Sequence, residues 1–353
     1  MEQRARDFLV RLLQTPGPSG YEQRTQEVVR HFLRGVADQV TTDSHGNVVG
    51  AINVSAPVRL MLAGHCDHIG LIVQYVDSEG YIFVQPIGEW DPVQLVGSRV
   101  VIWSSSGPVV GVVSRKPVHL LTDDERRVAP RISELWIDIG ARDKVDAESV
   151  VRVGDSATFE LEFRELRHGL MSGVGLDDRI GLWIALEAFR RVREEGGLSC
   201  ALFVASTVQE EVGLRGAQTC AYGVNPHVAI AIDVTHATDC PAIDKRSEGD
   251  IAVGRGPVVY RGPNTHPKVV DRLVDVATAR QIRYQIGANG RGTPTDANIF
   301  QTTRAGVATG LISIPCRYMH SSVETVSLDD AEGAVDLLTS FVLSVGEDHA
   351  WTP

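Results

Sequence analysis

The second half of the chain alternates short apolar runs with longer amphipathic stretches, and this alternation constrains the fold most. The runs "CALFVAST", "HVAIAIDV" and "GVATGLISIP" are almost continuously apolar, as expected for strands buried on both faces. Helical patterns separate or follow them: "GLWIALEAFRRVREEG", "PKVVDRLVDVATARQ" and "LDDAEGAVDLLTSFVLSV". The alternation predicts an α/β fold with a mostly parallel sheet and helices on both faces.

A β-rich segment, residues 71–165, interrupts this pattern. Its runs "GYIFVQPIG", "SRVVIWSSSGPVVGVVS" and "DSATFELEF" are rich in β-branched residues and are separated by Gly, Pro and Asp. We interpret 71–165 as an inserted domain, a small β-barrel. Residues 1–70 and 166–353 then form the α/β domain, which begins with two helices. Ser19 and Glu22 have the spacing of a capping box that opens the second helix.

Composition excludes several classes of function. Acidic residues outnumber basic ones, 45 to 34, and no run rich in Lys and Arg occurs, so nucleic acid is not an expected partner. No window approaches the roughly 18 continuous apolar residues that a membrane helix needs. The first residues, "MEQRARDFLVRLLQ", lack the layout of a secretory signal, so a cytoplasmic location is the default expectation. The five scattered cysteines contain no C-x-x-C pair and are expected to be buried thiols.

Histidines and carboxylates stand at strand ends and helix starts, where open α/β sheets bind their ligands. Each has an ordinary explanation alone: a core histidine, a helix cap or a solvated acid pair. Their coincidence at equivalent ends of the sheet favours a metal site. The candidates are His65 and Asp67 after "VRLMLAG", Asp177 and Asp178 before a helix, Glu210 and Glu211 after "CALFVA", Asp233 at the end of "VAIAI", and His320 after "GLISIP".

The types of ligand indicate the chemistry. Histidine and carboxylate ligands without thiolates suit a catalytic zinc, cobalt or manganese site. Two histidines and three carboxylates fit two ions about 3.5–4 Å apart that share one carboxylate and activate water for hydrolysis. Asp67 would accept the second imidazole N–H of His65 and fix its tautomer. Of Glu210 and Glu211, one can bind metal while the other takes the proton of the water. His68 is unassigned.

Six motifs then resemble the M42 family of metallo-aminopeptidases, which includes glutamyl, deblocking and tetrahedral aminopeptidases. The similarity runs over essentially the whole chain, and "VVGVVSRKPVHL" and "ELWIDIGARD" resemble the family's inserted domain. The motifs, in the family's order, are "GHCDHIGLIV", "GLDDRIG", "QEEVGLRGA", "IDVTHATD", "GTPTDANIFQTTRAGVATGLISIP" and "RYMHSSVE".

The resemblance implies a function and a role for each site residue. It implies a two-metal aminopeptidase that hydrolyses N-terminal residues from peptides, with Glu210 as general base, Asp67 as histidine orienter and Asp177 as bridging ligand. Two divalent ions per subunit are implied, zinc or cobalt, with manganese as a further candidate. The barrel would mediate dimerisation within a homo-oligomer, up to a dodecamer. The implied metal ligands are His65, Asp177, Glu211, Asp233 and His320.

Two departures from the family pattern bear on specificity. His68 stands where the family commonly has an acid, and "GTPTDAN" (292–298) replaces the usual "GTDA". Both are expected near the substrate side chain, so the preferred N-terminal residue and the substrate-binding residues are not predicted. Two other functions remain as alternatives: a metal-dependent deacylase or amidase acting on small N-acyl substrates, and an inactive oligomeric scaffold. A serine hydrolase is disfavoured because no G-x-S-x-G motif occurs.

Overall fold

The computed structural model describes residues 1–346 and residue 351. Within this part of the chain, no helix is both long enough and apolar enough to cross a membrane. The helices are α1 (Gln3–Leu13), α2 (Gln23–Leu33), α3 (Pro92–Leu95), α4 (Asp123–Arg127), α5 (Lys144–Glu148), α6 (Leu176–Glu195), α7 (Arg215–Val224), α8 (Lys245–Glu248), α9 (Pro267–Ala279), α10 (Asp296–Phe300) and α11 (Leu328–Ser344).

The strands form a large sheet, a small sheet and a barrel. They are β1 (Gln39–Thr42), β2 (Val48–Ile52), β3 (Arg59–His65), β4 (Gly70–Val76), β5 (Ile82–Ile87), β6 (Arg99–Ser104), β7 (Gly107–Ser114), β8 (Trp136–Asp138), β9 (Ser156–Phe159), β10 (Phe163–Glu165), β11 (Leu170–Gly173), β12 (Ala201–Thr207), β13 (Val228–His236), β14 (Val258–Arg261), β15 (Gln285–Ala288), β16 (Ala308–Cys316) and β17 (Glu324–Ser327).

The large sheet has eight strands in the order β1-β2-β12-β3-β13-β16-β14-β15. Its four central strands, β12, β3, β13 and β16, run parallel, and β2 and β14 flank them in antiparallel pairing. Thr207 at the end of β12 lies opposite His65 at the end of β3. The predicted mostly parallel sheet is confirmed, and its carboxyl edge collects the residues that follow β12 and β3.

Helices cover both faces of this sheet, because successive residues of the central strands point to opposite sides. In β3, Leu60 and Leu62 pack in a core cluster with residues of α1, α6 and α11. Met61 and Ala63 pack instead with residues of α7 and α10. All four strand residues are fully buried, which explains why the sequence shows continuous apolar runs there.

The inserted segment contains a closed barrel with the strand order β4-β5-β8-β7-β6-β9. The barrel strands begin at Gly70 and end at Phe159, and Leu71, Val100 and Ile137 belong to a separate buried core. β10 lies outside the barrel and pairs with β11 in the small sheet. The predicted barrel is confirmed, whereas the domain limits at 71 and 165 and the role in dimerisation stay predictions.

The two predicted N-terminal helices are confirmed, but the capping box at Ser19 and Glu22 is wrong. Glu22 is the N-cap residue of α2, and no side chain caps that helix. The Ser19 hydroxyl donates instead to the buried carboxylate of Asp67 at 2.7 Å. Glu22 accepts hydrogen bonds from the backbone amides of Gly20 and Gln209. These tertiary partners override the local capping pattern, because buried polar groups require hydrogen-bond partners.

Candidate metal centre

The five proposed metal ligands and the proposed general base, six residues in all, lie together at the carboxyl edge of the large sheet. They come from five separate segments of the chain. His65 ends β3, Asp177 lies in the first turn of α6, Glu210 and Glu211 follow β12, Asp233 lies within β13, and His320 lies between β16 and β17.

The first cluster surrounds the Nε2 atom of His65. This atom lies 3.2 Å from Asp177 Oδ1, 3.8 Å from Glu210 Oε2 and 3.9 Å from Asp233 Oδ1. One potential ligand atom from each of His65, Glu210 and Asp233 lies within 4.8 Å of the other two. The cluster has the donor types of a catalytic metal site.

The second cluster surrounds the Nε2 atom of His320. This atom lies 3.2 Å from Glu211 Oε2 and 3.4 Å from Asp177 Oδ2. Asp177 therefore turns Oδ1 towards His65 and Oδ2 towards His320, the arrangement expected of a bridging carboxylate. Asp178 accepts hydrogen bonds from the His65 and Gly181 backbone amides instead.

The two clusters fit a pair of cations because they bury more negative charge than they compensate. Four carboxylates face two imidazoles, and Asp177, Asp233 and Glu210 are each less than 10% exposed. Glu211 Oε1 is buried and has no hydrogen-bond partner among the described residues. Burying an unpaired carboxylate is costly, whereas divalent ions would supply both charge and coordination.

The pKa values of the site residues reflect this crowding of acids. Burial, with the nearby Asp177 carboxylate, raises the pKa of Glu211 to about 7. Burial also raises the pKa of Glu210 well above its ordinary value. Burial disfavours the protonated form of His320, yet the Asp177 and Glu211 carboxylates raise its pKa to about 11. Bound divalent cations would replace these protons as the compensating charge.

Asp67 contacts the His65 imidazole mainly through its backbone. The Nδ1 atom of His65 lies 3.1 Å from the Asp67 carbonyl oxygen and 3.5 Å from carboxylate Oδ1. The carboxylate accepts hydrogen bonds from the Ser19 hydroxyl and from the backbone amides of Glu210 and Glu211. Asp67 is therefore placed to fix both the imidazole and the adjacent glutamates.

Sequence reasoning missed Glu324, a carboxylate behind the second cluster that is 2% exposed. It accepts hydrogen bonds from the backbone amides of Asp177 and His320. The residue closes the motif "RYMHSSVE", but an acid four residues after a histidine is ordinary. The only signal in the sequence was its place in that motif.

The site opens into a cleft of about 720 Å³. His68 is not among its lining residues, contrary to the expectation that it lies near the substrate side chain: it is buried, and its Nδ1 lies 2.7 Å from the Ile69 carbonyl oxygen. The variant segment does reach the cleft, through Thr293, Pro294 and Thr295.

The charged residues that line the cleft are acids. Beyond the two clusters they are Glu89 and Glu248, and neither forms an ion pair within the described part of the chain. No Lys or Arg is among the described lining residues, and this includes Arg291, which directly precedes the variant segment 292–298. The cleft therefore has a negative potential even if two divalent ions balance the charges of Asp177, Glu210, Glu211 and Asp233.

The chain is similar in sequence and structure to known proteins. A family model described as "M42 glutamyl aminopeptidase" matches residues 46–337. A lysyl aminopeptidase of Pyrococcus furiosus is 36% identical over 94% of each chain. The TET aminopeptidase of the marine sediment archaeon Thaumarchaeota archaeon SCGC AB-539-E09 superposes with a TM-score of 0.93 at 34% identity, covering 97% of each chain. The TET1 peptidase of Pyrococcus horikoshii, described as assembling into a tetrahedron or a large octahedral shell, gives 0.85 at 31% identity, covering 97% of this chain and all of the other.

Proposed function

This chain belongs to the M42 family of aminopeptidases, hydrolases of peptide bonds, and we propose that it removes N-terminal residues from peptides with two divalent ions and Glu210 as general base. The observation that carries the proposal is the position of Asp177, whose two carboxylate oxygens face His65 and His320. A shared carboxylate between two ligand clusters is the arrangement of two-metal hydrolytic sites.

The proposed ligands divide into two sets that share Asp177. In this division His65 and Asp233 complete one set, and Glu211 and His320 complete the other. Zinc or cobalt, with manganese as a further candidate, suits ligands that are histidines and carboxylates without thiolates. When bound, the ions would supply Lewis acidity that activates water and polarises the scissile carbonyl.

The chain's own residues provide proton transfer and orientation. Glu210 lines the cleft and is not needed to complete either ligand set, so its carboxylate takes the proton of the attacking water and passes it to the leaving amine. Asp67 holds the Glu210 backbone through a 3.1 Å hydrogen bond. The carbonyl of Asp67 fixes the tautomer of His65, which leaves Nε2 directed at the carboxylates.

The proposal includes assembly into homo-oligomers through the barrel. The TET1 relative is described as forming large shells, and this chain exposes apolar side chains on the barrel and its long loop. Val110, Val112, Val118, Leu120 and Val128 are each at least 45% exposed. Light scattering of the purified chain tests this proposal, and a monomeric mass at micromolar concentration would contradict it.

The activity is tested with a substrate panel and three metals. The metal-free chain is reloaded with zinc, cobalt or manganese and assayed on lysyl, leucyl and glutamyl anilides, including lysyl because of the name of the Pyrococcus furiosus relative. N-acetylated leucyl anilide is the matched control, since it lacks the free amine that an aminopeptidase requires. Release of acetate from the acetylated compound, without release of aniline from the anilides that have a free amine, would support a deacylase or amidase. No cleavage of any compound with any metal would support the inactive scaffold.

A further inference from the structure

Glu324 makes two hydrogen bonds that join separate parts of the second cluster. Its Oε2 accepts from the backbone amide of Asp177 at 3.1 Å, and its Oε1 accepts from that of His320 at 3.0 Å. The side chain is almost fully buried, so water does not substitute for either contact. One carboxylate therefore links the backbone of the shared ligand to that of the histidine.

Both amides need an external acceptor. Asp177 lies in the first turn of α6, where backbone amides have no partner within the helix. His320 has a φ of 60°, the left-handed region that a residue with a Cβ adopts at an energetic cost. The hydrogen bond from Glu324 stabilises this conformation, which directs the His320 imidazole towards Asp177 and Glu211.

We propose that Glu324 is a positioning residue that sets the geometry of the ligand set Asp177, Glu211 and His320. The inference rests on the proposed two-metal function and assigns Glu324 to one of its two ion sites. Glu324 is not itself a ligand in this proposal, because both of its oxygens are occupied by backbone amides. Loss of either hydrogen bond should weaken that one site and leave the set containing His65 and Asp233 largely intact.

Glu324→Gln is the most selective change, because it keeps the size of the side chain. Glutamine has one acceptor oxygen, and its NH₂ group would face a backbone N–H, so one of the two contacts must be lost. Glu324→Asp tests reach rather than charge, since it keeps a carboxylate but shortens the side chain by one methylene. Both variants are expected to affect the same ion site.

Asp330 provides a matched control elsewhere in the fold. Its side chain is also almost fully buried and accepts from the backbone amides of Gly254 and Gly256 at 2.6 and 2.7 Å. Asp330→Asn therefore removes an equivalent contact from a carboxylate that holds a loop with no residue in either cluster. The loss of stability in Asp330→Asn shows how much the fold is destabilised when a buried carboxylate that accepts from two backbone amides becomes an amide.

The experiment measures cobalt binding to the metal-free full-length chain by titration calorimetry and by the visible spectrum of bound cobalt. Wild type and Asp330→Asn should each bind two cobalt ions, and the affinity of each site should be the same in the two proteins. Glu324→Gln and Glu324→Asp should each weaken one of the two sites by about 10- to 100-fold, the range for residues that orient metal ligands. Thermal unfolding of the metal-free variants shows whether they are folded.

The outcomes separate this inference from the proposed function. Two unchanged cobalt sites in a folded Glu324 variant would overturn the assignment of Glu324 alone. An equal loss of cobalt affinity in Asp330→Asn would also overturn it, because the effect would then be general. If Glu324→Gln does not fold, Glu324→Asp decides in the same way. A wild-type chain that binds fewer than two ions would overturn the two-ion proposal itself.

Discussion

The carboxylate of Asp67 accepts a 3.1 Å hydrogen bond from the backbone amide of Glu210, although 143 positions separate the two residues in the chain. Its other oxygen accepts from the amide of Glu211 at 3.2 Å. With both backbones fixed, the side chains of the two glutamates diverge, one towards His65 and the other towards His320. A single buried acid therefore sets the positions of two neighbours that are proposed to have different roles.

Glu210→Gln should abolish turnover and leave metal binding nearly unchanged, because the amide has no basicity but keeps the shape of the side chain. We expect kcat to fall by at least about 100-fold, as for the loss of a general base. Glu211→Gln should instead weaken cobalt binding, since it removes a ligand charge. Steady-state kinetics and cobalt titration of both variants test whether Glu210 is the base and Glu211 the ligand. A Glu210 variant that loses cobalt would identify Glu210 as a ligand, which its place in the cluster with His65 and Asp233 also allows.

Asp67→Asn should lower kcat by about 10- to 100-fold, because asparagine has one acceptor oxygen and cannot hold both glutamate amides. Ser19→Ala is the control, since it removes one donor to Asp67 and leaves both glutamate contacts in place. We expect a change of less than about threefold for Ser19→Ala. An equal fall of kcat in Asp67→Asn and Ser19→Ala would mean that the hydrogen bonds to the glutamate amides do not account for the effect of Asp67 on kcat.

The sequence predicted the fold well because burial itself leaves a pattern. Strands covered by helices on both faces must be apolar throughout, and the barrel strands must be β-branched and interrupted by turns. The ends of those strands then identified His65, Glu211 and His320 as neighbours, since parallel strands end at one edge. These inferences depend on hydrophobic periodicity, which the packing of the core itself requires.

The contacts that hold the site could not be predicted in the same way. Ser19 has the local pattern of a helix cap, yet the buried Asp67 carboxylate competes successfully for its hydroxyl. Among the described residues, the Glu324 side chain accepts hydrogen bonds from two backbone amides, one of them 147 positions away, and backbone amides carry no sequence signal. His68 was expected near the substrate because of its position in a motif, but only the three-dimensional packing reveals that it is buried away from the cleft.

The negative cleft should disfavour peptides with an acidic N-terminal residue. We expect kcat/KM for lysyl anilide to exceed that for glutamyl anilide by at least about tenfold at low ionic strength, and the ratio to fall with added salt. Glu248→Lys should lower the ratio, because Glu248 is one of the two acids that line the cleft outside the two ligand clusters. Glu89→Lys replaces the other of these two acids, next to His320, whose Nδ1 contacts the Glu89 carbonyl oxygen, and should also lower the ratio. A preference for glutamyl anilide in the wild type would contradict this prediction.

Glu187 should stabilise the fold through ion pairs remote from the site. Its carboxylate, only 1% exposed, accepts hydrogen bonds from Arg190 at 2.7 and 2.8 Å and from Arg191 at 3.0 Å. Glu187→Gln leaves the buried Arg190 with less compensation and should lower the free energy of unfolding by about 3 kcal/mol. Urea unfolding of wild type and variant at the same protein concentration measures this change in the free energy of unfolding. Asp146→Asn, which breaks an exposed pair with Arg142, should leave the midpoint nearly unchanged.

The stabilising effect of Glu187 should depend on pH in a defined direction. Burial opposes ionisation of Glu187, but hydrogen bonds and charges from Arg190 and Arg191 dominate and lower its pKa in the folded chain. A lowered folded-state pKa means that the unfolded chain takes up the proton first, so acid favours unfolding. The contribution is complete above the ordinary glutamate pKa of about 4.3 and is lost as the pH falls through the folded-state value. The difference in unfolding free energy between wild type and Glu187→Gln should therefore be constant from about pH 6 to 8 and shrink below about pH 4. A difference that grows in acid would show that Glu187 is not held as a paired carboxylate.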